Sequence, residues 1–258
     1  MNNYKTGLCL SGGGARGIVH LGVLQALEEA EIYPDFISGT SAGAIAGAFY
    51  AAGYSPRKIY EIIENERLLL LLRPAVSLKG LLDIRLSTKA FAKYLPEKFE
   101  DLKIPLTVNA TDLYSGKSVF FDSGNLYLPV QASCCIPLIF QPIEYDKYLF
   151  VDGGIINNLP VEPLLNRSDF IIGVHSNPTG EKRDFSTFTK VLERTQLLSI
   201  SRNTILNSSR CHLLIEPPEM AKFNVFDLRK ASQIFEIGYQ YAKKYLLENK
   251  NYEIGNLK

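Results

Sequence analysis

The chain is poor in the residues and segments that would point to several common functions. It has only three histidines and four cysteines among 258 residues. Its longest purely aliphatic run, Leu68 to Leu72, falls far short of the roughly 20 apolar residues that cross a bilayer. The first residues, Met-Asn-Asn-Tyr-Lys-Thr, run directly into an apolar strand, without the apolar segment and small-residue cleavage site of a secretory leader. A cytoplasmic protein is the simplest expectation, with peripheral contact at a membrane surface left open. Cys9, Cys134, Cys135 and Cys211 lack the paired spacing of a zinc site, and the adjacent pair reads as buried filler rather than a disulfide framework. Charge of one sign is also missing. The 28 basic and 27 acidic residues are scattered, so no basic block exists to neutralise a line of phosphates, and nucleic acid is excluded as an expected partner.

What is present is an ordinary globular composition, 46% hydrophobic and 21% charged, in a strand–helix alternation. Lys5 to Leu10 reads as a buried strand and Ile18 to Ala30 as a helix, with Val19, Val23, Leu24 and Leu27 at helical spacing. Phe36 to Gly39 is a second strand. Ala42 to Ala52 is small and apolar all round, as a helix packed deep on a sheet is. Ser55-Pro56 supplies an N-cap and a first-turn proline for a helix to about Glu66.

Further along, a helix capped by Ser87 is expected within Lys79 to Leu95. Strands Leu106 to Asp112 and Ser118 to Asp122 turn at Tyr114-Ser115-Gly116, and a helix spans Leu126 to Cys134. A second hairpin, Ile139 to Tyr145 and Tyr148 to Val151, turns at Asp146-Lys147 and delivers Asp152. The last third resumes with strand Asp169 to His175, helix Ser186 to Ser208, strand His212 to Glu216 and helix Arg229 to Glu248. The grammar is α/β, and with no linker or repeat the whole of 1–258 reads as one domain.

Two glycine turns carry the chemistry. Gly39-Thr40-Ser41-Ala42-Gly43 has the Gly-x-Ser-x-Gly form, in which small residues let a strand turn sharply into a helix and expose a serine hydroxyl. Gly12-Gly13-Gly14-Ala15-Arg16-Gly17 ends the neighbouring strand and can offer a row of backbone N–H groups. With the N–H of Ala42, those of Gly12, Gly13 and Gly14 form a candidate oxyanion hole. The same loop also satisfies Gly-x-Gly-x-x-Gly, the dinucleotide fingerprint, with Asp35 near the spacing of a ribose-binding acid. Against this, Asp35 precedes the second strand instead of ending it.

A serine needs a base. His20 lies on the apolar face of the first helix and reads as packed, and His212 has no motif around it. His175, at a strand end, would complete a Ser, Asp, His order. Asp152 offers a shorter route: it sits at a strand end and is followed by Gly153-Gly154, which let the backbone turn away. A carboxylate near pKa 4 is a weak base, so this route requires a raised pKa or strong oxyanion stabilisation.

The glycine loop, the serine elbow and Asp152-Gly153-Gly154, in that order, resemble the signatures of patatin-like phospholipases. Ala132-Ser133 with Pro137 and Phe140, and Asn157-Asn158-Leu159-Pro160, resemble that family too, over roughly Lys5 to His175. The resemblance implies a three-layer α/β/α fold with a central, mostly parallel sheet. It also implies a Ser41–Asp152 dyad, with Gly12 to Gly14 as the oxyanion hole. Arg16 would assist or merely anchor that loop, and Gly17, Gly39 and Gly43 would support the turns. The implied activity is hydrolysis of lipid or other carboxylic esters through an acyl-serine, with no metal and no cofactor. A retained fold without catalysis, acting as a binding module, is the remaining alternative. Leu68 to Leu72 reads either as core or as a lid or membrane-docking element.

Overall fold

The computed structural model describes residues 5–66, 73–74, 82–181, 184–225 and 228–249. The Leu68 to Leu72 run therefore lies outside the described residues. Five strands run parallel in the order β10 (Leu213–Ile215), β9 (Phe170–Val174), β1 (Thr6–Leu10), β2 (Phe36–Gly39) and β5 (Leu106–Asp112). Three antiparallel strands complete that sheet: β6 (Lys117–Phe121), β7 (Ile143–Tyr145) and β8 (Tyr148–Asp152). A separate two-residue ladder joins β3 (Arg73–Pro74) to β4 (Leu82–Asp83).

Alternation along the strands separates two cores, because successive side chains point to opposite faces of a sheet. Leu8, Leu10, Ile37, Ile172 and Val174 pack into the larger core with helices α1 (Val19–Glu29), α2 (Ala42–Ala51), α3 (Pro56–Asn65) and α7 (Ala231–Glu248). Cys9 and Ile171 face the other way, against Leu159, Val161 and Leu164. On that side the Asn207 amide of α6 (Phe188–Ser208) donates to the Leu159 carbonyl, tying the helix to the Asn157–Leu159 loop. The result is the expected three-layer α/β/α arrangement. Among the described residues no helix is long and apolar enough to cross a membrane.

The register of β5 does the work of juxtaposition. Its Val108–Asp112 stretch pairs with β6 along one edge. The other edge is shared: β2 occupies it up to Gly39 opposite Val108, and β8 arrives from the opposite direction with Asp152 opposite Ala110. The ends of β2 and β8 thus meet head to head along one strand. The residues after Gly39 are placed beside Asp152 by hydrogen-bond register alone.

Local differences from the sequence reading have local causes. The loop after β1 forms a 3-10 turn over Gly14–Ile18, so α1 starts one residue later than expected. Ser87 does precede α4 (Thr88–Tyr94), but a 3-10 turn over Ile84–Ser87 feeds that helix with Ser87 already helical. Its hydroxyl donates to the Ile84 carbonyl instead of capping. The strand expected from Ile139 begins only at Ile143, because the chain turns at Ile136–Phe140, where the Phe140 N–H donates to the Ile136 carbonyl and Leu138 takes φ 70°. The helix expected over Leu126 to Cys134 is α5 (Tyr127–Ser133). Ser55 caps α3 as expected, accepting from the Lys58 N–H.

Helices α1 and α7 cross in backbone contact. A Cβ on Gly22 would lie 2.0 Å from the Phe235 carbonyl oxygen, and one on Gly238 would lie 2.4 Å from that of Val19. Neither helix can move away without opening the larger core. Gly22→Val should therefore lower stability by about 3 kcal/mol or more, read as a drop in melting temperature. Substitution at Gly116, whose Cβ position is open but whose φ is 66°, should cost far less.

Candidate active site

Ser41 stands between β2 and α2 with φ 52° and ψ −119°, a conformation that costs a non-glycine residue about 1–3 kcal/mol. The turn is tight enough that a Cβ on Gly39 would meet the Gly43 carbonyl at 2.5 Å. Gly17 is held against the first turn of α2, where its own Cβ would lie 2.3 Å from that of Ala42. These small residues let the glycine loop and the serine turn touch.

The Ser41 hydroxyl donates to Asp152 Oδ2 at 2.7 Å, and the other carboxylate oxygen accepts the Gly154 N–H at 2.8 Å. Ser41 is 6% exposed and Asp152 7%. Burial pushes the Asp152 carboxyl up to about 6, against the opposing effect of the Ser41 and Gly154 hydrogen bonds. The Cys134 thiol lies beside the pair, and burial together with the Asp152 charge raises its pKa well above the usual thiol range.

Among the N–H groups singled out from the sequence, that of Gly12 is already taken, donating to the Asn158 carbonyl at 3.1 Å. Those of Gly13, Gly14 and Ala42 take no hydrogen bond among the described residues. Gly14 has φ 55°, and the Ala15 N–H behind it donates to the Val225 carbonyl, fixing the loop's direction. Arg16 is fully buried. Its guanidinium donates to the Phe223 carbonyl, to Asn177 Oδ1 and, as an ion pair, to Glu193 Oε1 at 3.1 Å. These contacts anchor the loop to the segments that carry Asn177, Glu193 and Phe223.

The histidines lie elsewhere. His175 hydrogen-bonds Glu216 at 3.0 Å and lines a different cavity with Thr204 and Ser208. His20 is buried on α1, its Nε2 bonded to the Ser11 carbonyl, and burial lowers its pKa to about 4, so it is neutral. His212 Nδ1 accepts the Ile171 N–H. Asp35 accepts the Thr6 N–H at 2.7 Å, at the start of β1, so it sits at the edge of the sheet opposite the glycine loop. A ribose bound at that loop would be out of its reach.

Two cavities meet at Ser41. One is walled by Ile18, Leu21, Ile45, Ile63, Phe91 and Phe140. The other contains Asp152 and the Gly12–Gly14 loop, with polar walls from Asn158, Asn177 and Gln196. Sequence reasoning missed Asn158, Asn177 and Ser133 as site residues. Ser133 and Asn158 lie inside stretches that carry the family resemblance. Asn177 carries no sequence signal.

The geometry is thus a buried serine on a strained strand–helix turn of an α/β/α fold, hydrogen-bonded to a carboxylate and next to backbone N–H groups that have no partner among the described residues. The patatin-like phospholipase pattern matches residues 8–165, and the chain belongs to that family. An uncharacterized NTE family protein of Mycobacterium tuberculosis is 38% identical over 186 residues, 70% of this chain and 52% of that protein. Human patatin-like phospholipase domain-containing protein 6 is 29% identical across 92% of this chain and 20% of its own length. The lysophospholipase nte1 of Aspergillus oryzae is 29% identical across 94% and 18%. The chain thus spans about half the length of the mycobacterial relative and a fifth of the longer ones. Among solved structures, VipD of Legionella pneumophila superposes with a TM-score of 0.56 at 16% identity, over 95% of this chain and 67% of that one.

The raised Asp152 pKa has a consequence for stability. The native state holds this proton more tightly than the unfolded chain does, so the stabilising effect is complete below about pH 4. It is lost as the pH rises through about 6, where the buried carboxylate ionises. Asp152→Asn should therefore be more stable than the parent at pH 8, by on the order of 2 kcal/mol, and about equal to it at pH 4. Denaturant melts at the two pH values measure the difference.

Proposed function

We propose that the protein is a serine acyl hydrolase that cleaves lipid carboxylic esters, with Ser41 as nucleophile and Asp152 as base. The observation that carries this reading is the 2.7 Å Ser41–Asp152 hydrogen bond at the junction of an apolar and a polar cavity. An acyl chain fits the apolar side and the alcohol portion the polar side. Asp152 accepts the hydroxyl proton as Ser41 Oγ attacks the ester carbonyl, and the oxyanion is held by the N–H groups of Gly13, Gly14 and Ala42. As the tetrahedral intermediate collapses, the proton passes from Asp152 to the leaving alcohol. Water then gives a proton to Asp152, attacks the acyl-serine and releases the fatty acid, and Ser41 recovers its proton. The raised Asp152 pKa suits the role, since a stronger base takes the serine proton more readily.

On a soluble short-chain ester, Ser41→Ala and Asp152→Asn should each lose activity by at least about a thousandfold, while His175→Ala keeps most of it. The parent's kcat/KM should fall about tenfold per pH unit below about 6, where Asp152 carries a proton. Wild-type activity in Ser41→Ala would sink the reading. Loss in His175→Ala with retention in Asp152→Asn would favour a histidine triad.

The substrate reaches the site at a lipid surface in this reading. Exposed apolar side chains rim the polar cavity: Ile155 on its wall, Leu138 next to Pro137, and Leu198 between Leu197 and Ser199. Leu138 is 63% exposed and held at φ 70°. Combining Leu138→Glu with Leu198→Glu should reduce hydrolysis of a long-chain ester in vesicles at least about tenfold and abolish co-flotation with them, since each leucine's burial is worth about 2 kcal/mol. Turnover of the soluble ester should stay unchanged. Equal rates on vesicles would remove the docking role.

A further inference from the structure

Both Ser41 and Asp152 are tied through their backbone N–H groups to one short segment, Ser133–Cys135. Ser133 Oγ, at the end of α5, accepts the Ser41 N–H at 2.8 Å, and the Cys135 carbonyl accepts the Asp152 N–H at 2.8 Å. Between them, Cys134 puts its thiol beside the Ser41 side chain. Ser133 is fully buried, so the Ser41 N–H has no solvent to turn to if that oxygen is removed. The bond is also made by the residue that most needs holding, because Ser41 is kept at φ 52° against its own preference.

We infer that Ser133 is a positioning residue for the reaction: its hydroxyl oxygen fixes the Ser41 backbone in the strained turn and so sets the Ser41 Oγ against Asp152. It touches neither the ester nor the attacking oxygen. The inference rests on the assignment of Ser41 as nucleophile and adds the constraint that aims it. The other Ser41 backbone contact, the Ile45 N–H donating to the Ser41 carbonyl, is ordinary helix bonding and leaves φ free. Without Ser133 the turn relaxes, Oγ swings from the carboxylate, and a displacement of about 1 Å is enough to cost on the order of a hundredfold in rate. Neither cavity has Ser133 in its wall, so ground-state binding stays as it was.

The test compares Ser133→Ala, Ser133→Cys and Ser133→Thr on the soluble ester, with melting temperatures alongside. Ser133→Ala should lower kcat by about 10 to 100-fold at nearly constant KM and slow labelling of Ser41 by a fluorophosphonate to match. Ser133→Thr, which keeps the acceptor oxygen, should recover most of the rate. Ser133→Cys keeps the volume but offers a poor acceptor, and should behave as Ser133→Ala does; it decides the matter if the alanine variant does not fold. Wild-type kcat in a folded alanine or cysteine variant overturns the inference, as does a rise in KM with kcat unchanged. Ser41→Ala, assayed in parallel, separates the two claims. If it retains activity the nucleophile is misassigned, whereas if it is dead and Ser133→Ala is fully active only the positioning role fails.

Discussion

One edge of one strand holds the site together. β5 is long enough in register to pair with β2 over Leu106–Val108 and with β8 over Ala110–Asp112 on the same side. Two strands that run toward each other on a common splint must end near each other, and the residues beyond each end are then placed by the first few torsions of the turn. After β2 comes the Gly39–Gly43 elbow, and the last residue of β8 is Asp152. The parallel pairing of β1 with β2, Leu10 opposite Gly39, brings the glycine loop to the same place. Ser41 and Asp152, more than a hundred positions apart, are brought together in this way. Hydrogen-bond ladders, each worth little in net stability, supply the alignment because they cannot slip by one residue without turning the two hydrophobic cores inside out.

The same architecture sets the electrostatics. A carboxylate at an exposed strand end would be a weak base, and one buried with no partner would refuse to ionise. Asp152 has an intermediate environment: it is nearly enclosed, yet it accepts the Ser41 hydroxyl and the Gly154 N–H. Burial outweighs these bonds, and the pKa rises to about 6 instead of falling below that of an ordinary aspartate. The neighbouring Cys134 thiol, its pKa also raised, adds no charge. The cost of holding an ionised carboxylate there, and of holding Ser41 at positive φ, falls on the native state. Close-packed helices opposite, with α1 and α7 in backbone contact at Gly22 and Gly238, give the fold the rigidity to bear it.

The strand–helix alternation and both glycine turns could be read from the sequence because each depends on local rules: burial periodicity, glycine at tight bends, serine before proline at a helix start. Ser41 and Asp152 were legible for the same reason, as residues at strand ends followed by small ones. The limits were also physical. Ser87 looked like a cap, but its hydroxyl turned back to Ile84 because a 3-10 turn had already supplied the helix entry. Gly12 looked equivalent to its neighbours until the Asn158 carbonyl claimed its N–H. The antiparallel arrival of β8 on the β2 edge of β5, the partner of Ser133, and the pairing of His175 with Glu216 are tertiary facts with no local signature.

The contribution of the C-terminal third is the clearest example. The family pattern ends at Leu165. Yet the glycine loop is held in shape from beyond it. The Arg16 guanidinium, enclosed and charged, would be costly if unpaired. It is satisfied by Phe223, Asn177 and Glu193, all of them after residue 165, while Val225 takes the Ala15 N–H and Ser176 and Asn177 bond the Gly12 carbonyl. Gly13 leaves no room for a side chain because the Ser176 hydroxyl would lie 2.1 Å from its Cβ. The loop proposed to receive the oxyanion therefore owes its backbone geometry to the segment after β9, to α6 and to the segment before α7. Donors preset in this way need no reorganisation when charge develops, which is where such groups derive most of their effect. In the proposed reaction the motif-bearing part supplies the reacting atoms, and the C-terminal third holds the surrounding dipoles still.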